Sequence, residues 1–124
     1  MKTTVKGCMQ LDIFKDAVLA AGEKGLGRKI RYASVLEPSE PEEIRELVDC
    51  EDRIFVTGFF GARDDSDKQA AVIRELADKK AAGLIVLYVG KIVMSLEDNV
   101  LEAANETELP LIVFKDSSAE YGTD

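Results

Sequence analysis

Residues Leu84 to Val89 read LIVLYV, and residues Leu111 to Phe114 read LIVF. Ile54 to Val56 form a third apolar run. All three runs are nearly continuous rather than alternating, which is typical of strands that are covered on both faces. Because helical patterns separate the runs, the sequence predicts right-handed crossovers and a mainly parallel sheet, and therefore an α/β fold.

Three helices are predicted from Glu40 to Val48, from Asp67 to Ala81 and from Leu96 to Asn105. Each is preceded by a serine with an acidic or amide residue three positions later, a spacing that matches or approximates a capping box. The pairs are Ser39 with Glu42, Ser66 with Gln69, and Ser95 with Asp98. Lys79 and Lys80 lie shortly before Gly83, which predicts that a glycine ends the second helix.

The segments outside this core are shorter. The pattern predicts an amphipathic helix within Thr3 to Phe14, a strand from Ala17 to Ala21 and a strand from Ile30 to Leu36 that ends before Pro38. These elements form a single domain over residues 1–114. Residues 115–124 contain few apolar side chains and are predicted to form a flexible tail.

Composition excludes several classes of function. The formal net charge of −8 repels nucleic acid, so we expect no direct binding of DNA or RNA. No histidine is present, which excludes Ser-His-Asp, Cys-His and histidine-metal chemistry. Cys8 and Cys50 lack metal-ligand spacing and are expected to be free thiols. The apolar runs are too short to span a membrane, so we expect a cytoplasmic protein. Since neither histidine nor metal-ligand spacing of the cysteines is present, we expect no bound metal, and we expect no cofactor either.

A basic glycine turn interrupts this acidic chain. Residues Gly22 to Arg31 read GEKGLGRKIR, with cations at Arg28, Lys29 and Arg31. Such a turn can hold a small anionic or polar ligand, or it can simply connect two strands. It is not a dinucleotide-binding loop, because the third glycine is missing and a strand pattern follows where a helix must begin. No GK[ST] sequence forms a Walker loop either.

Further candidate residues lie where predicted parallel strands end, the edge at which such sheets bind ligands. Glu37 follows one strand, Thr57-Gly58 closes the next, and Gly90-Lys91 closes a third. A charge at the end of a buried strand usually has a partner, and Arg28 and Arg31 are candidates for an ion pair with Glu37.

Two alternatives concern the residues after Gly58. Phe59 and Phe60 are either exposed as a contact patch or packed against the helices of the chain. Asp64 and Asp65 either open a helix or contribute to a magnesium site.

As an ordered set, several short motifs resemble the N-terminal domain of the purine catabolism regulatory protein-like (PucR-type) transcriptional regulators. The resemblance runs from about Thr4 to Phe114. It rests on Val5 at the start of a short helix, Ala20-Ala21-Gly22-Glu23-Lys24-Gly25-Leu26 followed by Arg28 and Ile30-Arg31, Val35-Leu36-Glu37 before a proline, Phe55-Val56-Thr57-Gly58, and Leu109-Pro110-Leu111-Ile112.

The resemblance implies a ligand-sensing domain that precedes a separate C-terminal helix-turn-helix. A similar glycine-arginine turn in the N-terminal domain of HPr kinase/phosphorylase implies a three-layer α/β sandwich. The chain departs from the family pattern at residues 49–53, which read DCEDR, and it ends ten residues after Phe114. We therefore expect either an isolated sensor domain or a free-standing protein without direct control of DNA.

Three hypotheses follow. In the first, the chain is a non-enzymatic sensor of a small-molecule effector, such as a purine catabolite. Its predicted ligand-binding residues are Arg28, Arg31, Glu37, Thr57 and Gly58. In the second, it is a dimerisation or interdomain docking module, and a partner such as a second copy covers the phenylalanine patch and the edge strands. In the third, it is an enzyme that uses Asp64, Asp65 or Lys91, although no pair of nucleophile and base is visible.

Overall fold

The computed structural model describes residues 3–115. The strands are β1 (Thr3–Thr4), β2 (Val18–Ala21), β3 (Lys29–Ile30), β4 (Tyr32–Val35), β5 (Arg53–Thr57), β6 (Gly83–Val89) and β7 (Leu111–Lys115). The helices are α1 (Val5–Met9), α2 (Glu42–Arg45), α3 (Ser66–Asp78) and α4 (Asp98–Thr107). Single 3₁₀ turns cover Asp12–Phe14, Glu23–Gly25 and Phe60–Ala62.

A five-stranded sheet in the order β2-β7-β6-β5-β4 forms the centre of the molecule. Strands β4 to β7 are parallel to one another, and only β2 is antiparallel to its neighbour. β1 and β3 pair separately as a small antiparallel ribbon. The predicted α/β fold with a mainly parallel sheet is therefore confirmed, and the three apolar runs are its central strands.

Both faces of the sheet bury apolar side chains. Phe55, Leu84 and Leu111 lie side by side in register and belong to the larger core, which α2, α3 and α4 complete. On the opposite face, Ile85 and Ile112 belong to a smaller core together with Val5 of α1. This double coverage explains why β5, β6 and β7 read as continuous apolar runs.

The helix predicted from Glu40 to Val48 is shorter in the structure. α2 spans only Glu42–Arg45, and Val48, the last residue of the predicted helix, is 80% exposed. The ammonium group of Lys79 lies 2.8 Å from the carbonyl oxygens of both Arg45 and Leu47, and it satisfies the free carbonyls at the end of the helix.

The predicted caps also differ from the observed ones. Asp65, one residue before the predicted Ser66, caps α3 by accepting a hydrogen bond from the Lys68 N–H at 3.0 Å. α4 begins after Glu97 without a side-chain cap, so Ser95 does not cap it. α2 begins after Pro41 and lacks a side-chain cap as well.

The end of α3 does not use a glycine. Lys80 takes the left-handed conformation with φ of 63°, and the Ala81 N–H bonds to the Leu76 carbonyl oxygen five residues earlier. Glu108 ends α4 in the same way, with φ of 57°. Gly83 instead begins β6, so the predicted glycine stop is wrong and a charged residue occupies each position that usually favours glycine.

The predicted strand from Ile30 to Leu36 is divided between two sheets. β3 pairs with β1, whereas β4 pairs with β5, and Arg31 lies between them. In the predicted N-terminal helical segment, α1 stops at Met9 and a separate 3₁₀ turn follows. Lys115 ends β7, and the rest of the predicted tail lies outside the described residues.

Candidate functional site

The basic glycine turn lies at the edge of the sheet where the parallel strands begin, here called the amino edge. Gly22 has φ of 78°, and its N–H donates to the Asn105 side-chain oxygen at 2.8 Å. A Cβ atom on Gly22 would lie 2.1 Å from the Leu109 carbonyl oxygen, and one on Gly25 would lie 2.0 Å from the Glu108 carbonyl oxygen. These glycines are therefore required because the turn packs directly on the backbone between α4 and β7.

Arg28 completes this contact. Its guanidinium donates to the carbonyl oxygens of Glu108 at 3.1 Å, Thr107 at 3.3 Å and Ala81 at 3.4 Å. These carbonyls lie at the ends of α4 and α3, where a cation also interacts favourably with the helix dipoles. The local excess of positive charge therefore has a structural function at Arg28.

Arg31 lies elsewhere on the amino edge. Its guanidinium carbon is 5.6 Å from the centre of the Tyr32 ring, and that of Arg53 is 4.9 Å from the same ring. These residues line an open polar cavity of about 390 Å³ together with Asp49 and Asp52. The ion pairs found within residues 3–115 do not include Glu37, Arg28 or Arg31. The predicted pairing of Glu37 with Arg28 or Arg31 is therefore wrong.

Glu37 lies at the opposite edge, where the parallel strands end, here called the carboxyl edge. Its carboxylate accepts hydrogen bonds from the N–H groups of Gly58 at 2.7 Å and Phe60 at 3.1 Å, and from the Thr57 hydroxyl at 3.3 Å. The carboxylate therefore ties the end of β4 to the loop after β5. Arg31 and Glu37 flank β4, so an extended chain separates them by roughly 20 Å.

The five predicted ligand-binding residues thus form two groups rather than one. Glu37, Thr57 and Gly58 contact one another, whereas Arg28 and Arg31 lie at the other edge, where Arg31 lines the polar cavity and Arg28 bonds to backbone carbonyls. A Cβ on Gly58 would meet its neighbours at 3.5 Å, an ordinary contact distance, so close packing does not require a glycine there.

The two phenylalanines after Gly58 have different environments. Phe59 is fully buried in the larger core, and Phe60 is 57% exposed with the Arg63 guanidinium carbon 4.5 Å from the centre of its ring. Phe59 adopts a left-handed φ of 57°, which turns the chain away from β5. The predicted contact patch of two exposed phenylalanines is therefore reduced to Phe60.

Two cavities open at the carboxyl edge. The first, here called the apolar cleft, has a volume of about 390 Å³ and lies between the ends of β2, β6 and β7 and the start of α4. Val18, Val113 and Leu101 form its walls, and Lys115 adds a cation to this mainly apolar lining. Its position matches the edge where ligands bind in parallel sheets.

The second cavity, here called the polar pocket, has a volume of about 300 Å³. It lies between the start of α3 and the loop before α4. Met94 and Ser95 line both cavities, so the polar pocket adjoins the apolar cleft. The remaining lining residues are Arg63, Asp64, Asp65, Ser66, Gln69 and Glu97.

Backbone strain is found at the same edge. Tyr88, near the end of β6, has φ of 61°, which is unfavourable for an aromatic residue, and its side chain is half exposed. The register of β6 against β7 shifts between Val86 and Val89, so the strand bulges there. Gly90 then follows with φ of 102° and lines the apolar cleft. The bulge and turn shape the mouth of the cleft.

Reactive groups are scarce at either edge. Burial raises the pKa of the Cys8 and Cys50 thiols, which keeps both in the protonated form that is a poor nucleophile. Within residues 3–115, no group of three His, Cys, Asp or Glu side chains is arranged to hold a metal ion, and Asp65 is engaged as the cap of α3. That same part of the chain contains no helix long and apolar enough to cross a membrane.

The sequence model of the purine catabolism regulatory protein-like (PucR) family matches residues 7–120, nearly the whole chain. The chain belongs to this family. The resemblance predicted from the short motifs is thus confirmed, and PucR-like membership indicates a regulatory domain. Comparison with curated proteins gives no match.

Sequence patterns of this PucR-like chain predict the glycine turn at the amino edge better than they predict the residues that line the two cavities. The sequence predicts a strand end at Gly90-Lys91, and Gly90 lines the apolar cleft. Met94, Ser95 and Leu101 were missed, because only the fold brings the loop before α4 next to β2 and β7. The sequence pattern predicts Gln69 as a partner in a capping box, whereas its side-chain amide nitrogen donates to the Ala62 carbonyl oxygen at 2.8 Å.

Proposed function

We propose that this chain is a non-enzymatic regulatory domain that senses a small-molecule effector, with purine catabolites as the first compounds to examine. The proposal rests on membership of the PucR-like family and on the two adjoining cavities at the carboxyl edge. The absence of histidine and the raised thiol pKa values also favour binding over catalysis.

The observation that carries the proposal is the shared wall of the two cavities. Met94 and Ser95 line both, so a ligand can place an apolar part in one cavity and a polar part in the other. Each cavity has a volume at the lower end of the range for small-molecule sites, and their combination suits a compact metabolite. The loop that links β6 to α4 would contact both parts of such a ligand.

The predicted ligand-binding residues take different roles in this proposal. Glu37, Thr57 and Gly58 position the loop after β5, which continues into one wall of the polar pocket. Arg28 stabilises the amino edge, since its three hydrogen bonds go to the chain's own carbonyls. Arg31 lies outside the two cavities and makes no contact with the effector.

A thermal-shift screen against purine catabolites and other small metabolites tests the proposal. A ligand at a hundred times its Kd stabilises the folded state by about 2.7 kcal/mol, which raises the Tm of a domain of this size by roughly 10 °C. We expect Val18→Trp to abolish the rise, because Val18 is half exposed at the wall of the cleft and an indole would fill it.

Val48→Trp is the matched control. Val48 is an exposed valine outside the lining of the apolar cleft, so we expect this variant to keep the full rise in Tm. A rise that survives in Val18→Trp, or the failure of every compound to stabilise the wild-type chain, would contradict sensing at the cleft.

Docking to a partner is the second candidate function, favoured by the surface of β4. This strand forms one edge of the sheet, and its Tyr32 and Val35 side chains are 51% and 78% exposed. Unpaired strand edges readily pair with another chain. A concentration-dependent dimer in sedimentation experiments, lost in Val35→Lys, would favour docking; a monomer at all concentrations would remove this candidate for self-association.

A further inference from the structure

Gln69 in α3 has an unsatisfied side-chain oxygen. The residue is 2% exposed, and its amide nitrogen donates to the carbonyl oxygens of Ala62 at 2.8 Å and Arg63 at 3.4 Å. These two bonds fix the orientation of the amide, since the nitrogen must face the carbonyls. Its Oε1 atom accepts no hydrogen bond from any residue between 3 and 115. A buried acceptor of this kind destabilises the fold unless something donates to it.

The position of Gln69 gives this acceptor a use, because Gln69 lines the polar pocket. The pocket also contains carboxylates from Asp64, Asp65 and Glu97. Its one cation, Arg63, already donates to the Phe60 carbonyl oxygen at 2.8 Å and stacks on the Phe60 ring. The lining therefore contains three carboxylates and one cation, and ionised carboxylates only accept hydrogen bonds.

The same composition argues against an anionic ligand. The start of α3, which would otherwise attract an anion, is capped by the carboxylate of Asp65. Glu97 adds a negative charge on the opposite wall and accepts a hydrogen bond from the Ser95 hydroxyl at 3.2 Å. A carboxylate or phosphate would meet these charges at close range.

We propose that the polar pocket selects a ligand group with N–H donors, such as an amide, imide or ureide, and that Gln69 Oε1 accepts one of these hydrogen bonds. This inference rests on the proposed function, since it assigns the polar end of the effector whose apolar part occupies the cleft. Ser95, at the junction of the two cavities, is placed to contact the same group.

Two small compounds with the same five-membered ring test the inference on the full chain. Hydantoin has two N–H donors, and 1,3-dimethylhydantoin has none. In a titration followed by ¹H–¹⁵N NMR, we expect hydantoin to shift the side-chain amide signals of Gln69 and the backbone signals of residues 63–69, and to bind at least about tenfold more tightly. Equal binding of the two compounds, or hydantoin shifts confined to other residues, would overturn the inference.

Gln69→Met removes the acceptor and keeps a side chain of similar length. We expect it to weaken hydantoin binding by about tenfold or more. Asn99→Leu is the matched control, because it removes another α-helical amide, one that bonds to Asp67 and does not line the pocket. If Gln69→Met loses the dispersed spectrum of the folded chain, the comparison of the two compounds on the wild-type chain decides alone. Unchanged affinity in a folded Gln69→Met variant would also overturn the inference.

These results separate this inference from the proposed function. An effector that requires Val18 but leaves the Gln69 signals unchanged would refute the pocket's selectivity and retain sensing at the cleft. Hydantoin binding that requires Gln69, without any effector that Val18→Trp excludes, would support the pocket's selectivity and contradict sensing at the cleft.

Discussion

The amino and carboxyl edges of the sheet differ in how completely their polar groups are used. At the amino edge, Gly22, Gly25 and Arg28 pack or bond against the backbone between α4 and β7. At the carboxyl edge, two adjoining cavities remain open, and one of them contains a buried acceptor without a partner. The glycine-arginine part of the family resemblance therefore holds the fold together, and we propose that a ligand binds at the other edge.

A glycine-rich basic turn has the composition of an anion-binding loop, and here that composition arises from packing. Gly25 allows two stretches of backbone to approach more closely than a side chain permits. Arg28 then satisfies carbonyls that two helices leave free. The same residue types serve a ligand only when their donors face open space, and those of Arg28 do not.

The largest effect is expected from Gly25→Ala. A methyl group there would overlap the Glu108 carbonyl oxygen, so the turn must separate from the backbone before β7. We expect a loss of about 3 kcal/mol in the free energy of unfolding, measured by urea denaturation.

Gly27→Ala is the control in the same turn, because nothing lies within 4 Å of a Cβ atom at that position. We expect its stability to change by less than about 1 kcal/mol. If the two variants were equally stable, the turn would not be packed against the α4–β7 connection and the contrast between the edges would fail.

A smaller effect is expected from Arg28→Met. The substitution keeps much of the apolar stem and removes three hydrogen bonds to carbonyl oxygens, which should cost about 2 kcal/mol in the free energy of unfolding. Arg31→Met should cost less than about 0.5 kcal/mol, because Arg31 is exposed and stacks only loosely on Tyr32. Equal losses in the two variants would show that Arg28 has no special structural role.

The smallest effect is a local one at the carboxyl edge. Glu37→Gln weakens the hydrogen bonds that Gly58 and Phe60 donate to the carboxylate. We expect the amide hydrogens of these two residues to exchange about tenfold faster, with little change in global stability. Glu40→Gln removes a carboxylate that pairs with Lys68 on the surface and should leave both exchange rates unchanged. Unaltered exchange in Glu37→Gln would mean that Glu37 does not hold this loop.

The sequence predicts the central strands well, because burial on both faces leaves a simple pattern of apolar residues. It predicts helix ends poorly, because groups from elsewhere in the fold determine them. Lys79 of α3 bonds to the carbonyls at the end of α2, and Lys80 and Glu108 take conformations that usually favour glycine. No local signal reveals such partners.

The candidate site shows the same division. The sequence predicts Glu37, Thr57 and Gly58 at strand ends, and the structure brings them into contact because the ends of adjacent parallel strands meet at one edge. The predicted partnership of Glu37 with Arg28 failed, because the carbonyls of Thr107 and Glu108 that bind Arg28 lie about 80 residues away in the chain. The acceptor of Gln69 became visible only once the partners of its amide nitrogen were known.

In the proposed function, an effector binds at the carboxyl edge and leaves the amino edge unchanged. Mapping of ¹H–¹⁵N chemical shifts with the first compound that raises the Tm tests it most directly. We expect the largest shifts at Gly90, Ser95 and Leu101, around the two cavities. The largest shifts at Gly25, Arg28 and Arg31 would contradict it and return the ligand to the glycine turn.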